Sequence, residues 1–128
     1  EILLAPHPSY VNAVSEIGKV ADIRGMAHIT GGGLIDNIPR SLPENQGAIV
    51  RRGTWPELPI FNLLARIGED IDQNELFQDF NMGVGYVVIV PADAADTALG
   101  VLKAVGEQAY VIGETVLEPS ERVAIVST

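Results

Sequence analysis

Three consecutive glycines, Gly31-Gly32-Gly33, follow directly on a β-like run that ends in His28-Ile29-Thr30. A strand does not continue through such a triplet, because glycine loses the most backbone freedom on ordering and brings no side chain to pack. The chain has to turn there. It turns at residues that reach positive φ at little steric cost and let backbone N–H groups approach a guest with no Cβ in the way. An oxyanion or phosphate is the natural guest of such a loop. The plainer alternative is a turn between a strand and a short helix with no ligand at all. Two neighbours favour the ligand reading: polar side chains follow at Asn37 and Arg40, and a second cluster, Asn81-Met82-Gly83-Val84-Gly85, recurs further along.

The rest of the composition narrows the guest. With 128 residues, 47% of them hydrophobic, the chain suits a single domain over 1–128 and can bury a real core. A formal net charge of −9 with only eight Lys and Arg excludes a binder of nucleic-acid backbone, whose affinity rests on basic side chains, and Arg51-Arg52 is too short a run to reverse this. The absence of cysteine rules out disulfides and thiolate metal sites and is compatible with a reducing, cytoplasmic setting. No apolar run nears the roughly 20 residues that span a bilayer, so neither a membrane nor a nucleic acid is an expected partner. Glu1 stands where a start methionine would, and Ile2-Leu3-Leu4-Ala5-Pro6 reads as a segment entering from something upstream. The expectation is one domain taken from a longer protein.

Periodicity supplies a coarse element order. Tyr10, Val14, Ile17 and Ala21 recur at helical spacing, and residues 23–30 read as the strand that delivers the glycines. Leu34 to Ile38 form one helical turn ended by Pro39, since the residue before proline avoids the helical region. Gly47 to Arg51 is a short strand. Pro56 or Pro59 opens a helix carrying Ile60, Leu63, Leu64 and Ile67 that Gly68 stops, and Asp72 caps the next, which holds Leu76, Phe77 and Phe80. Val84 to Val90, rich in β-branched residues, reads as a buried central strand. Pro91 and Asp93 introduce a helix with Ala95, Ala98, Leu99, Leu102 and Val105 on its apolar face, capped near Gly106. Residues 109–117 and 122–126 supply two last strands across the Glu118-Pro119-Ser120-Glu121 turn. This order implies an α+β or α/β layered sandwich, a mixed β-sheet with helices packed on it.

The candidate site gathers around the glycines. His28 either donates to a phosphate and helps a proton transfer, or braces the loop through a backbone carbonyl. Thr30 offers a hydroxyl to a phosphate oxygen or caps the following turn. If a helix begins after Gly33, its N-terminal amides face the same guest as the N–H groups of Gly31, Gly32 and Gly33. Arg40 either clamps a phosphate or pairs with Asp36 or Glu44, and Asn37 is a ligand or a turn former. In the second cluster, Asn81 precedes Gly83 and Gly85, whose alternation leaves a groove for a guest or for a packed neighbour. Trp55 and Phe61 are not spaced as a stacking platform and read as core or interface residues. Glu69, Asp70 and Asp72 read as a solvated loop and helix cap rather than a metal cluster, so no metal site is expected. No Ser/His/Asp or Cys/His pattern, Walker motif or HExxH is present, and the catalytic residue is left open.

Three segments, AHITGGGLIDNIPR at 27–40, TWPELPIFNLL at 54–64 and FNMGVGYVVIV at 80–90, together resemble the C-terminal domain of the aminoimidazole ribonucleotide synthetase family. The likeness runs in the family's order from Leu3-Leu4-Ala5-Pro6 to the strand near Arg122 to Val126. Formylglycinamidine synthetase, selenophosphate synthetase and thiamine-phosphate kinase share the architecture without this pair of glycine motifs in this form. Met82 stands where some relatives carry cysteine. The resemblance implies an ATP-dependent cyclo-ligase of de novo purine biosynthesis acting on formylglycinamidine ribonucleotide: ATP phosphorylates the formyl-amide oxygen, the neighbouring nitrogen attacks, and phosphate leaves. It further implies that ATP and magnesium are bound mainly by an N-terminal half that is absent here and also builds a homodimer. This chain then completes the cleft and holds substrate, and is inactive alone. A stand-alone α/β binding or interaction domain, or the equivalent domain of formylglycinamidine synthetase, is the competing expectation.

Overall fold

The computed structural model describes residues 9–68 and 71–127. The chain divides into two compact units, one ending at Arg24 and resuming over Val88–Ala109, the other comprising Gly25–Val87 and Tyr110 onwards. Among the described residues the first unit holds the helices α1 (Val11–Gly18) and α5 (Ala95–Ala104), the latter entered through a 3-10 turn at Ala92–Ala94. They pack together through the buried side chains Ala13, Ile17 and Ala98. Tyr10, just before α1, is half-buried, and its hydroxyl pKa is raised from 10.0 by burial first and by the negative charge of Glu107 second.

The second unit carries the candidate site. Its elements are β1 (Gly25–His28), α2 (Gly33–Asn37) with a 3-10 turn at Pro39–Ser41, β2 (Gln46–Arg52), α3 (Pro59–Ile67), α4 (Gln73–Asp79), β4 (Gly113–Leu117) and β5 (Val123–Ser127), with β3 (Tyr86–Ile89) beginning inside it. Helices pack on two sheets, a β1–β3 pair and a mixed three-stranded sheet in the order β4-β2-β5. A single apolar core runs through it, from Ala27 and Ile29 on β1 through Leu34, Ala48, Val50, Trp55, Phe61, Phe77 and Met82 to Val123.

Local chemistry sets the helix ends. Pro59 occupies the first turn of α3, where a missing N–H costs nothing, and the Gly68 N–H caps its end on the Leu64 carbonyl. Asp72 caps α4: its Oδ1 accepts from the N–H of Asn74 at 2.7 Å and of Glu75 at 3.2 Å. Phe80 lies just past the end of α4 in extended backbone. α2 ends just before Pro39 as expected, but Ile38 keeps helical backbone (φ −61, ψ −45) and the chain goes on into the 3-10 turn, where the absent N–H of Pro39 is again harmless.

One strand expectation is corrected. The run 84–90 is not a fully buried strand: β3 spans only Tyr86–Ile89, its residues are half-buried, and among the described residues it pairs with β1. The last two strands stand on either side of the 118–121 turn as expected, without pairing with each other. β4 lies antiparallel to β2, with Gln46 opposite Leu117, and β5 lies parallel to β2 on its other edge, with Ala48 opposite Val123. The connection therefore crosses the end of β2, and Gly47 makes room for it: a Cβ there would come within 2.6 Å of both the Arg122 carbonyl oxygen and the Pro119 ring. Arg122 then fastens the crossing. Its Nε donates to the Gln46 carbonyl at 2.9 Å, and Nη2 reaches the carbonyls of Pro39, Leu42 and Pro43 at 3.2, 3.4 and 3.3 Å.

Candidate functional site

β1 delivers the first glycine loop with alternating burial: Met26, His28 and Thr30 are exposed, and Ala27 and Ile29 are buried. The Ile29 N–H donates to the Gly85 carbonyl at 3.0 Å and that of Arg24 to Ile89 at 2.8 Å, so β1 and β3 run antiparallel. The loops at 30–33 and 81–85 thus leave the same end of the pair, and the structure brings the two glycine clusters together.

The three glycines do different work. Gly33, at φ +58, is buried with its α-carbon against the end of α4; a Cβ there would overlap the Phe77 carbonyl and lie 2.6 Å from that of Phe80. Its N–H is spent on the Thr30 carbonyl at 3.0 Å. Gly32, at φ +97, turns one side to Asp36, whose Oδ2 would sit 2.8 Å from a Cβ on it. Gly31 faces open space. Among the described residues the N–H groups of Gly31 and Gly32 make no hydrogen bond.

Asn37 is the brace of this loop. Only 3% exposed, it donates through Nδ2 to the carbonyls of Thr30 at 3.2 Å, Gly31 at 3.2 Å and Gly33 at 2.8 Å. Its Oδ1 accepts from the Thr30 hydroxyl at 3.4 Å and from Arg40 Nη1 at 3.2 Å. In a trans peptide the C=O of one residue and the N–H of the next point in opposite directions, so drawing the Thr30 and Gly31 carbonyls inward turns the N–H groups of Gly31 and Gly32 outward. Arg40 is exposed, tethered to the brace, and forms no ion pair with Asp36, Glu44 or any other described residue. Its other guanidinium N–H groups stay available beside the loop. His28 lies on the exposed strand face with its ring 5.9 Å from that of Tyr86, the planes tilted by 36°.

The second loop is locked. Asn81 Oδ1 accepts from the Gly83 N–H at 2.9 Å, Gly83 sits at φ +86, and Met82 adopts φ +54 with its side chain wholly buried. The buried Trp55 indole N–H donates to the Met82 carbonyl at 3.0 Å, and the Trp55 ring meets Phe77 edge-on at 6.2 Å. Gly85 serves β1 through its carbonyl. Trp55 and Phe61 are core residues as expected. The part of Trp55 that sequence reasoning missed is its bond to Met82, 27 residues away, for which no local pattern exists. Asp36, named in the sequence only as a partner for Arg40, instead sets its carboxylate beside Gly32, where Gln78 Nε2 approaches it at 3.5 Å.

Glu69 and Asp70, from the acidic run, lie outside the described residues, while Asp72 is occupied as the α4 cap. Among the described residues no group of three or more His, Asp or Glu comes together to hold a metal ion, and no helix is long and apolar enough to cross a membrane.

Residues 3–126 match the family model described as AIR synthase related protein, C-terminal domain. Curated relatives named phosphoribosylformylglycinamidine cyclo-ligase share 49% identity over 116 residues in Thermoanaerobacter sp., 47% over 114 in Magnetococcus marinus and 42% over 123 in Bifidobacterium animalis subsp. lactis. These alignments cover 91%, 89% and 96% of this chain but only 34%, 32% and 36% of the respective relatives, so the chain spans about a third of their length. With the glycine loops, the helices on mixed sheets and the sequence match in agreement, the chain belongs to the AIR synthase related family and corresponds to its C-terminal domain.

Proposed function

We propose that this chain is the substrate-holding C-terminal domain of an ATP-dependent cyclo-ligase that converts formylglycinamidine ribonucleotide to aminoimidazole ribonucleotide in de novo purine biosynthesis. The observation that carries the reading is the Arg40 guanidinium, tethered to the buried Asn37 brace beside the outward amides of Gly31 and Gly32 and unpaired with any described carboxylate. In a chain of net charge −9, that combination is an unusual place of positive potential. The 5′-phosphate of the substrate settles there, with the Thr30 hydroxyl exchanging its long 3.4 Å bond to Asn37 Oδ1 for one to a phosphate oxygen. Bidentate donation from Arg40 and fixed backbone donors then orient the substrate without reorganising when charge shifts during ring closure. His28 flanks the same site on the strand, while Asn81, Gly83 and Gly85 form the second wall.

ATP supplies phosphoryl transfer when bound. The resemblance to the family assigns ATP and its metal to the remaining two thirds of a full-length enzyme. That N-terminal part is the domain's partner in the same polypeptide and the builder of a cytoplasmic homodimer. The chain alone is then inactive.

A domain exchange tests this. Replacing the corresponding C-terminal third of the Thermoanaerobacter relative with this chain is expected to retain cyclo-ligase turnover on the order of 1 per second, the general range of enzymes. The isolated chain, given ATP, magnesium and formylglycinamidine ribonucleotide, is expected to show none. A well-folded chimera without activity overturns the reading.

A further inference from the structure

Arg122 stands just before β5, and its backbone is already fixed to the sheet: its carbonyl accepts from the Ala48 N–H of β2 at 2.9 Å. From there the half-buried side chain turns back across the end of β2. Nε donates to the Gln46 carbonyl at 2.9 Å, while Nη2 reaches the carbonyls of Pro39 at 3.2 Å, Leu42 at 3.4 Å and Pro43 at 3.3 Å. Those three belong to the 3-10 turn at Pro39–Ser41 and to the residues that leave it, where a helical turn ends with carbonyls short of N–H partners. Arg122 forms no ion pair with any described carboxylate. Carbonyl dipoles from two separate segments hold its charge, and it joins those segments.

We infer that Arg122 is a positioning residue for the anion site: it holds the turn that carries Arg40 against the three-stranded sheet and so keeps the Arg40 guanidinium beside the glycine loop. Pro39 and Arg40 share one peptide plane, so a bond to the Pro39 carbonyl steadies the backbone from which the Arg40 side chain leaves. The Arg40 head has one tether among the described residues, Nη1 to Asn37 Oδ1 at 3.2 Å. A single bond does not order a long side chain on a moving stem, because the rotamer freedom lost is comparable to what one hydrogen bond returns. Lysine cannot take over the task of Arg122. Its compact ammonium lacks the planar fork of donors that reaches Gln46 with one nitrogen and the turn with another. The Asn37 brace draws on the carbonyls of Thr30, Gly31 and Gly33 and on none that Arg122 uses, so the glycine loop keeps its shape when Arg122 is changed. Because Arg122 acts through Arg40, its role at the site rests on the phosphate reading above.

A double-mutant cycle on the full 15N-labelled chain, with inorganic phosphate as the probe, tests this. Arg122→Lys keeps the charge and is expected to weaken phosphate binding about 3-fold, near the lower end for residues coupled in one network. The ligand-free amide signals of Gly31 and Gly32 should stay at their parent positions. In an Arg40→Ala background the same change is expected to leave the constant within about 1.5-fold, since the residue it acts through is gone. Equal losses in both backgrounds would mean that Arg122 acts by general destabilisation or touches the anion itself, and would overturn the positioning role. The Arg40 Nε–H signal, read without phosphate, separates this role from the phosphate reading: it should be ordered in the parent and mobile in Arg122→Lys. Mobility gained in a chain that binds no phosphate would keep the support of Arg40 and remove the phosphate reading. An Arg40 Nε–H equally ordered in both chains overturns the positioning role whatever phosphate does. If Arg122→Lys fails to fold, the parent chain decides. Slow exchange of the Arg122 Nε–H together with an ordered Arg40 Nε–H supports the proposal, and free exchange or a mobile Arg40 overturns it.

Discussion

The two glycine loops of this domain leave the same end of one strand pair yet are held in opposite ways. The loop at 30–33 is braced from within, by Asn37 six residues on from Gly31, which gathers three carbonyls and leaves the Gly31 and Gly32 amides facing out. The loop at 81–83 is pinned from afar by the Trp55 indole, with Met82 forced into a left-handed conformation and its side chain sunk in the core. One loop is held by its own Asn37, while the other is held by Asn81 within it and by Trp55 and Ile29 from distant segments. A glycine-rich string therefore says little until each glycine is asked what it faces. Gly33 faces backbone, Gly32 faces a carboxylate, Gly31 faces nothing, and only the last two keep unspent amides.

That contrast can be broken most violently at Gly33. Alanine there meets both a left-handed φ and the Phe77 and Phe80 carbonyls, and backbone does not yield as a side chain does. We expect Gly33→Ala to cost on the order of 3 kcal/mol or more, read by urea unfolding. A cost under about 1 kcal/mol would mean that the α2–α4 contact is loose. Next in size is Trp55→Phe, which leaves the Met82 carbonyl without its donor and opens space beside Phe77. About 1–3 kcal/mol is expected, with faster hydrogen exchange at Gly83 and little change at Gly31. Gly31→Ala should leave stability within about 1 kcal/mol of the parent chain while weakening phosphate binding several-fold, since its new methyl projects into the approach path. Equal binding by that variant would return Gly31 to the category of turn residues.

The smallest effect lies in the other unit and concerns pH. The raised pKa of Tyr10 means that the folded state prefers the neutral phenol, so its contribution is present below pH 10 and is lost as pH rises through the higher folded value. Melting curves above pH 10 should fall less steeply for Tyr10→Phe than for the parent chain. Parallel slopes would show that the phenol ionises as easily folded as unfolded.

What was legible in the sequence is what depends on near neighbours. Pro59 as a helix start, Gly68 as a stop and Asp72 as a cap act within one turn, so residue identity alone determines them. The glycine turn was legible for the same reason. The order of the last strands was not, because β4 and β5 are separated by β2, some 70 residues earlier in the chain, and nothing in the Glu118–Glu121 turn reveals that it must cross Gly47. Within the run 84–90 a strand does form, but β-branched residues report strand conformation and not how deeply the strand is buried. At the site, the types of the residues were readable but not their division of labour. Asn37 reads by type as a turn former or a ligand, and only its burial and its bonds to three carbonyls separate the brace from the available cation Arg40.

The central claim is that the Gly31–Gly32 amides and Arg40 hold a phosphate, and a titration of 15N-labelled chain with inorganic phosphate tests it most directly. The account predicts a millimolar dissociation constant, about −4 kcal/mol, since a single exposed loop must offset the cost of association with few contacts. The amides of Thr30, Gly31 and Gly32 should shift together, those of Gly33 and Gly83 should not, and Arg40→Ala should weaken binding at least about 5-fold, the scale of one charge-assisted hydrogen bond. Shifts confined to other parts of the chain, or an unchanged constant in Arg40→Ala, would contradict it.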